Sequence, residues 1–153
     1  MGLFDKFLSN KESENLKYKP TSDFEAWMGI LYGCMAADGI VGDFEIDSLT
    51  RMLIFNQKFA DIDITVLYRS VIEAENKYGS IALIEACYPL IKEEEKSTLF
   101  SMVVEIALVD GRLEESEMKQ IEYIAEKLQI DPILAEKIIE VMLIRNKLNR
   151  IVD

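Results

Sequence analysis

The sequence predicts an all-α protein, a compact bundle of about seven helices with an internal helix-turn-helix pseudo-repeat. Three observations carry this. Apolar residues recur at spacings of three, four and seven, and no strand-like alternation lasts more than a few residues. Only 7 Gly and 3 Pro interrupt 153 residues, which suits long helices rather than many short strands. Two acidic turns, Ala37-Asp38-Gly39-Ile40-Val41-Gly42-Asp43-Phe44-Glu45 and Val109-Asp110-Gly111-Arg112-Leu113-Glu114-Glu115-Ser116-Glu117, repeat at an offset of 72 residues.

In order, residues 1–20 read as an N-terminal amphipathic segment followed by a linker, and 21–153 as a helical domain. Met1 to Leu8 lacks the charged n-region and cleavage pattern of a signal peptide, and residues 9–20 are polar and aperiodic. Ser22 and Glu25 form a capping box that opens a helix carrying Phe24, Trp27, Met28, Leu31, Cys34 and Met35 and ending at Asp38-Gly39. The second helix starts near Asp43 and buries Ile46, Leu49, Met52 and Leu53. Asp63 caps a third helix, with Val66, Leu67, Ser70, Val71 and Ala74 facing inward and Gly79 as its stop. Ser80 caps a short segment through Ile81, Ile84 and Tyr88, which Pro89 ends or kinks. Glu93-Glu94-Glu95 starts a helix that is apolar nearly all round from Leu99 to Val109, so it is expected at the centre of the bundle. A sixth helix carries Met118, Ile121, Ala125 and Leu128. Asp131-Pro132 starts the last, which carries Leu134, Ile138, Val141, Met142 and, near its end, Leu148, with Arg145, Lys147 and Arg150 suiting its C-terminal dipole.

The formal net charge of -11 argues against nucleic acid, whose affinity comes from Lys and Arg neutralising phosphates, and against an anionic membrane surface. With 0 His, imidazole bases and most zinc sites are excluded. Cys34 and Cys87 are isolated in apolar helical contexts and read as buried thiols, which fits a reducing cytoplasm. No stretch is long and apolar enough to span a bilayer.

Between Trp27 and Leu53, only the Asp, the Gly and the Glu are identical at the 72-residue offset, whereas apolar partners match in type alone. A shared fold requires the apolar pattern but not the same carboxylates. Asp38, Glu45, Asp110 and Glu117 are therefore the candidate metal ligands. Further acids crowd both turns, and close like charges favour a neutralising cation. Oxygen donors point to Ca²⁺, Mg²⁺ or Mn²⁺. The turns are not EF-hands, because positions three and twelve of such a loop would be Ile40 and Leu49, or Arg112 and Ile121. The same carboxylates could instead cap helix amides. The two turns could also lie side by side and build one shared site. Glu105, an acid in an apolar helix, is either buried or turned out to solvent. No nucleophile has a recognisable activating base, so no catalytic residue is expected.

The opening Met1-Gly2-Leu3-Phe4-Asp5-Lys6, the Ala36-Ala37-Asp38-Gly39 turn with Glu45, and Asp110-Gly111-x-Leu113-Glu114-x-x-Glu117 followed by Ile124-Ala125-x-x-Leu128-x-Ile130-Asp131-Pro132 resemble TerB and the TerB-like helical domains of tellurite resistance. The resemblance covers essentially the whole chain. It implies an all-helical acidic domain with a divalent-metal site at Asp38, Glu45, Asp110 and Glu117, linked to tellurite resistance, chemical stress and phage defence. It implies membrane-embedded TerC-like and calcium-binding TerD-like partners. Gly42 and Asp43 stand where family members often have Ser and Glu, so the second turn keeps closer to the pattern. The expected function is a cytoplasmic, non-enzymatic stress-response module that binds divalent cations and protein partners, peripheral at the inner face of the membrane where a partner holds it there. The alternative is a purely structural interaction bundle whose turn carboxylates are caps.

Overall fold

The computed structural model describes residues 18–37, 39–109 and 112–149. These form seven α-helices: α1 (Asp23–Ala37), α2 (Asp43–Ile54), α3 (Ile64–Tyr78), α4 (Ser80–Cys87), α5 (Lys96–Ala107), α6 (Glu115–Lys127) and α7 (Pro132–Asn146). Short 3₁₀ turns lie at Gln57–Phe59, Tyr88–Leu90 and Glu93–Glu95. No strand occurs among the described residues, as the periodicity predicts.

Local chemistry sets the boundaries. The Ser22 hydroxyl oxygen accepts the Glu25 N–H at 3.1 Å, which starts α1. Glu25 does not complete the box. The residue is only 3% exposed, and its carboxylate accepts hydrogen bonds from the Thr21 hydroxyl at 2.9 Å and the Tyr18 hydroxyl at 3.0 Å. A buried carboxylate needs such donors, since each unmet acceptor would cost on the order of 1–3 kcal/mol. Tyr18, at the end of the expected linker, therefore packs on the domain. Asp63 caps α3 through the Thr65 N–H at 3.0 Å. Gly79, at φ +88°, ends α3 and is also the N-cap of α4. Ser80, expected as that cap, is instead the first helical residue. Glu93–Glu95 forms its own 3₁₀ turn ahead of α5.

The centre of the bundle is α1, not α5 as its sequence suggests. Every residue from Glu25 to Met35 is buried, whereas α5 buries Leu99, Phe100, Met102, Val103 and Val104. Both helices are apolar nearly all round, and α1 is the more apolar of the two. Close approach by a neighbour adds to this. A methyl group on Gly29 would collide with the Cys87 sulfur, and one on Gly33 would lie 2.8 Å from Ile84. These two glycines let α4 settle directly on the α1 backbone, and α3 and α5 pack around the same helix.

The inward face of α7 also differs from expectation. Ala135 and Met142 are buried and Ile138 and Ile139 partly covered, while Leu134 and Val141 are exposed, and Leu148 lies exposed past the helix end at Asn146. A helix apolar on all sides has no single stripe from which its packing face can be read. On α3, Val66 is likewise exposed, while Leu67, Val71 and Ala74 are buried.

The pseudo-repeat is visible in the packing. Trp27 and Leu99, Met28 and Phe100, Leu31 and Val103, and Leu49 and Ile121 are equivalent pairs, and all are buried. The two corners thus share these four buried pairs, whereas Cys34 and Met35 are buried and their equivalents Ile106 and Ala107 only partly so.

Candidate functional site

Both corners place a glutamate in the first turn of their second helix. At the first, Gly39 takes φ +127°, a backbone region that favours glycine, and its N–H returns to the Ala36 carbonyl at 3.2 Å. The chain then runs extended through Gly42, the N-cap of α2. The Glu45 carboxylate accepts the Gly42 N–H at 3.1 Å. At the second corner Glu114 is the N-cap of α6, and the Glu117 carboxylate accepts its N–H at 2.9 Å. One hydrogen bond is therefore made twice, at positions related by the repeat. It satisfies an orphan amide and places negative charge at the positive end of a helix.

The two glutamates also border the same space. Glu45 and Glu117 line one small cavity of about 30 Å³, together with Cys34, Met35, Ile106 and Ala107. Cys34 is the repeat equivalent of Ile106, and Met35 that of Ala107. The cavity thus lies between the corners with like residues on either side. A water needs on the order of 10–15 Å³ of such space, so this one suits a water or a small ion and no organic substrate. On its other side, Glu45 lines a cleft of about 230 Å³ with Ser48, Arg51 and Glu105. Glu105 is half-buried there, between the two fates expected of it.

Asp38 and Asp110, the other two candidate ligands, lie outside the described residues, as does Gly111. Among the described residues, no three acidic or sulfur side chains gather closely enough to hold a metal ion. Glu45 and Glu117 supply two carboxylates, the hard-oxygen chemistry that Ca²⁺, Mg²⁺ or Mn²⁺ takes. A carboxylate has about four lone-pair sites, so a capping bond does not exhaust either one.

Cys34, which reads as core in the sequence, also lines the small cavity, and nothing in its apolar helical context signals that place. Cys87 is a buried thiol in contact with other helices, as expected. Burial pushes it up to about 12, so it is protonated and unreactive at neutral pH.

Fold and corners together define a class: an all-helical bundle with paired acidic helix-turn-helix corners. Residues 24–138 match the family model described as "Tellurite resistance protein TerB", and the chain belongs to this family. No curated protein and no solved structure matches it at a significant level. No helix among the described residues is long and apolar enough to cross a membrane.

Proposed function

We propose that this chain is a non-enzymatic stress-response module of the tellurite-resistance type. A divalent cation shared between its two acidic corners would set the geometry it presents to protein partners. The observation that supports this reading is that Glu45 and Glu117 border one ion-sized cavity. In each motif the aspartate precedes the glutamate by seven positions across the same turn, so the four carboxylates would form one ligand set rather than two. Neutralising them would relieve like-charge repulsion and lock the α1–α2 corner to the α5–α6 corner. The size of the cavity supports a binding role over catalysis on a small molecule, because substrate pockets are typically about 300–1,000 Å³. Family membership supports a cytoplasmic site of action and TerC-like or TerD-like partners.

Calorimetric titration with Ca²⁺, Mg²⁺ and Mn²⁺ tests this. One cation per chain is expected, lost in the Asp38→Asn, Asp110→Asn double variant. Two cations per chain would point to independent corners. No heat and no thermal shift at millimolar metal would leave the second reading, a bundle whose corner carboxylates only cap helices. That reading is favoured by the two capping bonds at 3.1 and 2.9 Å.

A further inference from the structure

On the flank formed by α6 and α7 lies an open groove of about 590 Å³. Its floor is apolar: Met118, Ile121 and Ala125 from α6, Ile130 from the connection, and Ala135 and Ile139 from α7. Its rim is acidic, with Glu122 and Glu126 on one side and Asp131 and Glu136 on the other. No Lys or Arg lines it among the described residues. The groove is held open by a sharp helix end. Gln129 takes φ +57°, and the Ile130 N–H returns to the Ala125 carbonyl at 2.9 Å, which turns the chain directly into Asp131-Pro132.

We propose that this groove docks a basic amphipathic helix of a partner protein, with its apolar stripe on the floor and Lys or Arg side chains at the rim. An amphipathic helix fills such a trough through anchors at i, i+3 or i+4, and i+7. The charge pattern selects the occupant. A second copy of this chain would bring a net charge of -11 and the same acidic rim, so self-docking is repelled. An anionic membrane is repelled for the same reason. The chain's own Met1 to Leu8 carries a single lysine, Lys6, beside Asp5, and the Lys11 that follows it is offset by Glu12 and Glu14. Like-charge repulsion excludes wrong partners, and opposite charge speeds the right encounter. The proposal rests on the reading of this protein as an interaction module but not on its cation site, so it is tested with chelator present.

The probe is a fluorescent synthetic helix of Leu and Lys, about five turns long, titrated with the full chain by anisotropy in EDTA at about 0.15 M salt. The comparator has the same composition with its apolar stripe scrambled. The striped peptide should bind at least about tenfold more tightly than the scrambled one. Two variants should each weaken it by about tenfold or more: Ala125→Trp, which fills the floor, and the triple change Glu122→Lys, Glu126→Lys, Glu136→Lys. The three glutamates are exposed, so the triple variant folds, and circular dichroism checks both proteins. Equal binding of the scrambled peptide, or indifference to both variants, overturns the proposal. So does a peptide of residues 1–17 that competes as tightly as the probe, a dimer that Ala125→Trp dissociates, or vesicle binding through the same residues. Failure here leaves the calorimetric cation result untouched, and the converse also holds.

Discussion

At the scale of single residues, Glu45 and Glu117 carry two possible loads, and glutamine separates them. A glutamine at this third helical position still accepts the N-cap N–H, but it brings no charge to a cation. Glu45→Gln and Glu117→Gln should therefore leave metal-free stability within about 0.5 kcal/mol of the parent, whereas Glu45→Ala and Glu117→Ala should each lose about 0.5–2 kcal/mol. Urea unfolding in EDTA measures both. Added Ca²⁺ should raise the stability of the parent but not of the glutamine pair. An equal calcium gain in the pair would show that these carboxylates are caps only. The sequence showed the Asp, the Gly and the Glu of each corner because nothing in the fold required their identity. It did not show that the glutamates would border the same space, since that depends on how α2 and α6 are rotated about their own axes.

The relation between elements turns on α1 and α4. Gly29 is buried against Cys87, so added volume at position 29 has no room unless α4 moves. In an ordinary helix Gly→Ala gains up to about 1 kcal/mol of propensity, but overpacking here should cost about 1–3 kcal/mol, leaving Gly29→Ala destabilised. Truncating the opposing side chain should recover part of that loss, so Gly29→Ala combined with Cys87→Ala should be more stable than the sum of the single changes predicts. Additive behaviour in thermal or urea unfolding would mean that the collision is relieved elsewhere. The same pair shows what was legible at this scale. Helix boundaries were readable from Ser22, Asp63, Gly79 and Asp131-Pro132, each a local signal. Which helix occupies the centre was not, because both α1 and α5 carry apolar residues nearly all round and a central place also depends on close approach by a neighbour. The glycines that decide it reveal their role only against Ile84 and Cys87. On α7 the exposed Val141 and Ile144 defeat the same logic in reverse.

For the molecule as a whole, the repeat organises two corners, and at the opposite ends of α1 and α5 one ionic cluster joins the starts of those two helices. The fold class was legible because spacing and punctuation agree along the entire chain, and the acidic corners because they recur. This cluster was not legible, because its members come from three separate segments. The Lys58 ammonium lies 2.6 Å from Asp23 on α1 and 3.0 Å from Glu95, which precedes α5. The Trp27 indole N–H donates to the same Glu95 carboxylate at 3.1 Å, and the ammonium stands over the Phe24 ring at 4.6 Å. Burial alone would push Asp23 up, but its hydrogen bond and attraction to Lys58 outweigh this and hold it below the usual carboxylate range. Burial alone would pull Lys58 down, and the bonds to Asp23 and Glu95 reverse that, leaving it raised. The signs then fix the pH window. The depressed Asp23 contributes stability that is present above about pH 4 and lost as pH falls through its folded value. The raised Lys58 contributes stability that is complete below about pH 10 and lost as pH rises through its folded value. Lys58→Met should therefore cost about 2 kcal/mol between those limits, the scale of charge-assisted hydrogen bonds. At this chain length, that is a fall in Tm of about 4–8 °C. The gap between parent and variant should narrow on both the acid and the alkaline limb of a Tm-against-pH curve. A gap that stays constant from about pH 2 to about pH 11 would assign the loss to packing of the lysine stem against Phe24 and Trp27, not to the charges that join the starts of α1 and α5.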